Sequence, residues 1–125
     1  MQKATGWINV VHYDPRPEVG GEGLAHAAVG VAEEFNGGLV GTGSAQFVMV
    51  ELSDGSAHFA GLELFTGTLD GRAGSFLMRN SGTLRNGTVT SEWVILPGSA
   101  GGSLAGLRGT GGTGPSGYWL DYSFS

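Results

Sequence analysis

The sequence predicts an all-β protein: a single domain over residues 1–125, folded as an eight-stranded antiparallel up-and-down β-barrel. Glycine fills 25 of the 125 positions and separates short segments in which apolar and polar residues alternate. This spacing is typical of strands joined by tight turns, because glycine adopts positive φ angles without steric cost. The hydrophobic fraction of 40% is enough for a folded core and argues against a disordered chain. An open β-sandwich is the alternative.

The first third of the chain contains two predicted strands and a loop. Alternation predicts a strand over residues 5–13. Residues 14–21 are expected to form a long loop, because Pro15 and Pro17 fix φ and lack an amide donor. Residues 24–35 are rich in alanine and valine and could be helical by propensity. Gly30 and the neighbouring strand pattern favour a second strand there.

Turn sequences divide the rest of the chain into six more segments. Strands are predicted at residues 39–52, 56–69, 73–84, 88–96, 104–110 and 118–124. Asp70-Gly71 and Asn86-Gly87 are typical of two-residue hairpins. Eight successive strands predict a meander, and closing it removes both exposed edges. The interior of a barrel of this size is filled by side chains or holds one small ligand.

Composition excludes several classes of function. The net charge is −5 and the six basic residues are scattered, so the chain has no basic stripe for nucleic acid. The absence of cysteine excludes disulfides and zinc–thiolate sites. Neither an apolar signal core nor a segment of about 20 apolar residues is present. We therefore expect a cytoplasmic protein without a membrane partner.

Two motifs that resemble cofactor or metal sites have simpler explanations. Residues 109–114 fit the GxGxxG pattern, but a dinucleotide site needs a following helix, and Pro115 and a strand-like segment follow instead. His12, His26 and His58 lack the spacing of a metal-binding pair. The sequence predicts neither a metal nor a cofactor.

Glu63 is the strongest candidate for a catalytic residue, because it lies in an otherwise apolar strand between Phe59 and Phe65. A carboxyl on an aromatic face has its pKa raised toward the range useful for general acid–base catalysis. Arg79, in the next strand, is its candidate partner. The simpler interpretation, which we favour, is that the two form a cross-strand ion pair on the solvent face.

Polar and aromatic residues in other strands are candidates for binding a small apolar molecule. Aromatic side chains with a few convergent polar groups suit such a pocket. The candidates are Gln46, Phe59, Phe65, Trp93, Tyr118 and Tyr122. Each is also explained by a barrel core and an amphipathic outer face. Self-association is a further expectation, with Trp7, Trp93 and Trp119 supplying an apolar surface.

Three segments resemble a family of small bacterial proteins of unknown function. They are residues 61–76, 92–109 and 118–122, in the order and spacing of that family. The resemblance implies the eight-stranded β-barrel fold of allene oxide cyclase, an enzyme that closes a ring in its substrate without a cofactor. Members usually carry a Gln-His pair where this chain has Arg79-Asn80. This chain therefore lacks that histidine and any role it has in the relatives.

Three functions follow as hypotheses. The first is a cofactor-free cyclase or isomerase in which Glu63 acts on a small apolar substrate, with Arg79, Gln46 and Tyr122 orienting it. The second is a carrier or sensor that binds such a molecule without changing it. The third is a structural or oligomeric module, which predicts no cavity of about 300 Å³ or more.

Overall fold

A computed structural model of the chain describes residues 1–17 and 25–125, and its regular elements there are nine β-strands. The strands are β1 (Gln2–Pro17), β2 (Ala25–Gly37), β3 (Leu39–Glu51), β4 (Ala57–Leu69), β5 (Arg72–Arg85), β6 (Thr88–Ile95), β7 (Gly101–Gly102), β8 (Leu107–Gly114) and β9 (Gly117–Phe124). Residues 1–17 and 25–125 contain no candidate for a membrane-spanning helix.

The sheet closes on itself as an antiparallel barrel. Its strands follow the order β4-β3-β2-β1-β9-β8-β6-β5-β7, and β4 also pairs with β5. The two-residue β7 is an addition to the start of β5, so eight strands form the ring. The predicted all-β, eight-stranded antiparallel barrel is confirmed.

The hairpin turns have the conformation that their sequences predict. Asp70 and Gly71 have φ angles of 47° and 88°, and Asn86 and Gly87 have 51° and 78°. Two successive positive φ angles define the type I′ turn, which matches the twist of the strands on either side. These two turns fix the register of β4 with β5 and of β5 with β6.

The prediction of a loop from residue 14 onward was wrong for residues 14–17, which belong to β1. β9 pairs with β1 only from Gln2 to Gly6, whereas β2 follows β1 as far as Pro17. Within the described ranges, the end of β1 is therefore an edge strand, where proline is tolerated because one side of the backbone needs no donor. Residues 18–21 of the predicted loop, like residue 24 of the predicted second strand, lie outside the described residues.

In the glycine-rich region near the C-terminus, the strand begins at a later residue than predicted. The predicted strand at residues 104–110 begins instead at Leu107, and Leu104 is a buried turn residue before it. All six residues of the GxGxxG match lie in β8, so the motif is part of a strand. A Cβ on Gly111 would lie 2.2 Å from the Trp119 carbonyl oxygen, so glycine here allows two backbones to approach closely.

The two halves of the barrel interior differ. A cluster of buried apolar side chains, including Phe65, Phe76 and Leu120, fills the half where β1 begins. In the other half β8 and β9 stop at a short hairpin, whereas β1 continues from Trp7 to Pro17. This leaves an opening between β1 and the start of β6, and it gives access to the interior.

Candidate functional site

The open half of the barrel contains a cavity of about 150 Å³. Inward side chains of β1–β6 and β8 form its walls, which are mostly apolar. The aromatic wall residues are Tyr13, Phe47, Phe59 and Trp93, and the polar ones are Glu33, Asn80, Ser91 and Thr113. Ser91 and Thr113 satisfy each other through a hydrogen bond of 2.8 Å between their hydroxyl oxygens.

A wider groove of about 470 Å³ adjoins this inner cavity at the opening beside β1. The two share five lining residues: Ile8, Val10, Glu33, Val89 and Thr113. The inner cavity alone is smaller than the roughly 300 Å³ at the lower end for ligand sites. With the adjoining groove, the space suits a small molecule whose narrow end enters the barrel.

Glu63 lies beneath the inner cavity, on β4, with none of its surface exposed. Asn80 on β5, which lines the cavity, donates a hydrogen bond of 3.0 Å from Nδ2 to Glu63 Oε1. The other carboxyl oxygen lies over Gly43 of β3, where an added Cβ would be only 2.2 Å from Oε2. The missing side chain at residue 43 therefore makes the space that the carboxyl occupies.

Burial raises the pKa of Glu63 to about 9, because ionisation would place a charge in an apolar interior. A hydrogen bond with the Glu33 carboxyl on β2 and the charge of that carboxyl add to the rise, and the hydrogen bond from Asn80 opposes it. Glu33 is the Cα partner of Gly43 in the sheet, which brings the two carboxyl groups to the same part of the barrel. At neutral pH the Glu63 carboxyl is therefore protonated.

Two buried polar atoms of the cavity lining have no hydrogen-bond partner among the described residues: Asn80 Oδ1 and Trp93 Nε1. Glu63 Oε2 lies outside the lining, and its neighbour is the Glu33 carboxyl. Asn80 and Trp93 both line the inner cavity and are Cα partners in the β5–β6 pairing. Buried polar atoms in native proteins are paired with protein groups, water or a ligand in most cases. The Asn80 oxygen and the Trp93 N–H are therefore free to pair with a group inside the cavity.

The charge of the site is negative. The linings of the inner cavity and the groove include Glu33 but no lysine, arginine or histidine. No group of three or more histidine, cysteine, aspartate or glutamate side chains suited to a metal occurs in residues 1–17 and 25–125. His12 and His58 are exposed, and His26 is half-buried.

Some of the predicted site residues lie around this cavity. Phe59 and Trp93 line it, and Tyr118 lines the adjoining groove. Phe65 is fully buried in the core below the cavity. Tyr122 lies at the opposite end of the barrel, where its hydroxyl donates to Asp70.

The predicted ion pair between Glu63 and Arg79 on the solvent face was wrong. Arg79 is exposed and is the Cα partner of Leu62, so its side chain lies on the outer face of the sheet, whereas Glu63 lies inside. Gln46, also paired with Leu62, is exposed on the same outer face. The structure therefore brings neither Arg79 nor Gln46 to the cavity beside Glu63, because successive side chains of a strand point to opposite faces.

The residue that Glu63 contacts, Asn80, was not predicted as part of the site, and neither were Glu33 and Gly43. Asn80 has the same parity in β5 as the buried Phe76 and Met78, which is the signal that could have placed it inside. Nothing local marks Glu33 or Gly43, because their roles depend on pairing across β2, β3 and β4.

The expected apolar surface of three tryptophans exists only in part. Trp7 is 61% exposed and Trp119 is 38% exposed, but Trp93 is buried in the barrel. Trp93 stacks on Tyr118 with ring centroids 5.7 Å apart. It therefore belongs to the interior, and self-association stays a prediction that concerns Trp7 and Trp119.

Comparison with known proteins places the fold in a family. A crystal structure of a protein of unknown function from the DUF3224 family of Shewanella oneidensis MR-1 is 26% identical in sequence, with a TM-score of 0.76. The similarity covers 100% of this chain and 96% of that chain. No curated protein matches the sequence. The family described as "Protein of unknown function (DUF3224)" matches residues 4–122, so the chain belongs to the DUF3224 family.

Proposed function

We propose that the protein binds a small, largely apolar molecule in the open half of the barrel, with the polar end of the molecule against Asn80 and Trp93. The inner cavity receives that end, and the groove beside β1 receives the rest. Apolar walls with a few oriented polar groups are the usual composition of small-molecule sites.

The observation that carries this proposal is that buried polar atoms of the cavity lining have no hydrogen-bond partner among the described residues. Leaving a buried polar group without a partner costs about 1–3 kcal/mol each. Two such groups, on Asn80 and Trp93, line the same cavity, whereas the opposite end of the barrel is filled by packed side chains. A purely structural module would gain from apolar residues at these positions, so the arrangement favours a binding role.

A titration followed by NMR tests the proposal. Cyclohexylmethanol and cyclohexylmethylamine serve as probes, because both carry a compact apolar body and one polar end. We expect at least one of them to bind saturably, with a Kd on the order of 0.1–1 mM for a ligand of this size. The indole N–H signal of Trp93 should shift, whereas that of the exposed Trp119 should not.

A matched pair of variants locates the binding. Val31→Trp places a large ring in the inner cavity, which Val31 lines, and should abolish binding. Val48→Trp adds the same ring to the outer face of β3, where Val48 is 58% exposed, and should leave binding unchanged. Equal binding by both variants, or no saturable binding of either probe, contradicts the proposal.

The protonated carboxyl of Glu63 favours a second candidate, in which the same cavity catalyses an acid-promoted cyclisation or isomerisation. A buried neutral acid held by Asn80 is suited to donate a proton to a folded substrate. Such a reaction needs no cofactor, because the substrate and product are isomers.

Citronellal tests this second candidate, since acid closes it to isopulegol without gain or loss of atoms. We expect the wild-type protein to accelerate ring closure over buffer and Glu63→Gln to lose about 10²-fold or more of that acceleration. Recovery of unchanged citronellal by mass spectrometry after binding favours the carrier instead.

A further inference from the structure

We infer that the polar end of the ligand is a primary ammonium group, bound by the carboxylate of Glu33 and the buried oxygens of Asn80 and Glu63. This inference rests on the proposed binding function and specifies its ligand as an apolar amine. It follows from the charges, the unpartnered acceptors and the walls of the cavity.

The charges of the site select against an anion. Glu33 lines both the inner cavity and the groove, and neither lining includes a cationic side chain. A carboxylate or phosphate would meet the carboxylate of Glu33 in a poorly solvated space, where like charges repel strongly. An ammonium group would instead form a charge-assisted hydrogen bond with Glu33.

The unpartnered acceptors point to a donor-rich group. Asn80 Nδ2 is already committed to Glu63 Oε1, which leaves Asn80 Oδ1 as an acceptor without a partner within the described ranges. Glu63 Oε2 faces Glu33 and becomes an acceptor when its carboxyl loses the proton. Asn80 and Glu63 are both more than nine-tenths buried, at 7% and 0% exposure. An ammonium has three N–H donors and no acceptor, so it can serve Glu33 and both of these oxygens but not the N–H of Trp93.

The walls suit the organic part of such a ligand. Tyr13, Phe47, Phe59 and Trp93 line the cavity, and the rings of Phe47 and Phe59 meet edge to face with centroids 5.1 Å apart. Aromatic faces attract a cation by their quadrupole and also accept an apolar body. A bare metal ion would gain little from these walls.

Binding of the amine would release a proton. In the unliganded barrel the Glu63 carboxyl holds its proton, because it is buried and faces Glu33. The groups that face it from neighbouring strands are Glu33 of β2, Gly43 of β3 and Asn80 of β5, and none of them is a cation. When the ammonium arrives, the Glu63 O–H bond breaks, the proton passes to solvent, and the carboxylate pairs with the new cation.

Three probes with the same ring test the inference: cyclohexylmethylamine, cyclohexylmethanol and cyclohexanecarboxylate. At pH 8 we expect the amine to bind at least about tenfold tighter than the alcohol, the gain of a charge-assisted hydrogen bond. The carboxylate should bind weakest. Affinity for the amine should rise from pH 6 to pH 9, because a proton on Glu63 competes with the ligand.

Calorimetry in two buffers of different ionisation enthalpy measures the proton directly. We expect close to one proton released per amine bound at pH 7, and none per alcohol. Glu63→Gln should abolish the release, and Glu33→Gln should weaken the amine about tenfold while changing the alcohol less than about threefold. Glutamine keeps the shape of both side chains, so both variants should fold.

The outcomes separate this inference from the function on which it rests. If the alcohol binds as tightly as the amine, or if the amine binds without proton release, the ammonium inference is overturned and the binding function stands. If cyclohexanecarboxylate binds tightest, the site prefers an anion to a cation, and the ammonium inference is overturned. If none of the three probes binds, the binding function itself fails and the inference fails with it.

Discussion

The carboxyl of Glu63 occupies space that exists because residue 43 has no side chain. A Cβ on Gly43 would lie 2.2 Å from Glu63 Oε2 and 2.7 Å from Cε1 of Phe35. Glycine in the middle of a strand normally weakens it, because it adds entropy to the unfolded chain and no packing. At residue 43 the glycine is needed because any side chain would occupy the space of the buried Glu63 carboxyl.

Gly43→Ala should destabilise the protein by about 1–3 kcal/mol, because overpacking forces neighbours out of their preferred rotamers. Urea denaturation at pH 7 measures the loss. Gly114→Ala is the control, because a Cβ there meets nothing within 4 Å, and its stability should change by no more than about 0.5 kcal/mol. Equal effects of the two substitutions would contradict the close approach at residue 43.

Glu63 should make stability fall with rising pH. Its pKa in the folded protein is about 9, above the ordinary value of 4.5. Below pH 4.5 the group is protonated in both the folded and unfolded states, so its contribution to stability is fully present. Between 4.5 and about 9 only the unfolded state loses the proton, and up to about 1.4 kcal/mol is lost per pH unit.

Glu63→Gln should remove that slope. The difference in free energy of unfolding between Glu63→Gln and wild type should therefore shift in favour of the variant as pH rises from 5 to 8. Urea denaturation at several pH values measures it. Glu92→Gln, an exposed position on β6, is the control and should follow wild type. A constant difference across that range would show that Glu63 is ionised when buried.

The strands and hairpins of the barrel could be predicted from the sequence because their causes are local. Asp70-Gly71 and Asn86-Gly87 dictate their turns, and alternation dictates the strands. The extension of β1 through Pro15 and Pro17 could not be predicted, because proline is allowed there only where the neighbouring strand β9 stops.

The candidate site could be predicted only in part, for a related reason. Glu63 stands out in the sequence as a charge in an apolar strand, but its partner depends on the inward parity of β5. That parity selects Asn80 and not Arg79. A one-residue shift exchanges the two faces of a strand. The choice between Asn80 and Arg79 therefore needed the register of the paired strands, which the sequence alone does not give.

Asn80→Ala should raise the pKa of Glu63 further, because the hydrogen bond from Asn80 is what opposes the effect of burial. Removing it leaves both oxygens of the carboxyl without a donor among the described residues. The side-chain carboxyl carbon of Glu63, followed by ¹³C NMR during a pH titration, reports the change. Ser81→Ala, at the exposed next position of β5, is the control. A lowered pKa in Asn80→Ala would contradict the donor role of the amide.

Tyr118→Phe should cost about 1–3 kcal/mol, because it leaves the buried Leu39 amide without its partner. The Tyr118 hydroxyl accepts a hydrogen bond of 2.9 Å from the Leu39 amide and donates one of 2.7 Å to the Asn36 carbonyl. These contacts join β9 to the turn between β2 and β3. Tyr13→Phe, at a position 51% exposed, should change stability by no more than about 0.5 kcal/mol.

Amide hydrogen exchange gives a local measurement: exchange at Leu39 should accelerate in Tyr118→Phe and stay unchanged in Tyr13→Phe. Unaltered protection of Leu39 in Tyr118→Phe would mean that this hydroxyl does not hold the turn.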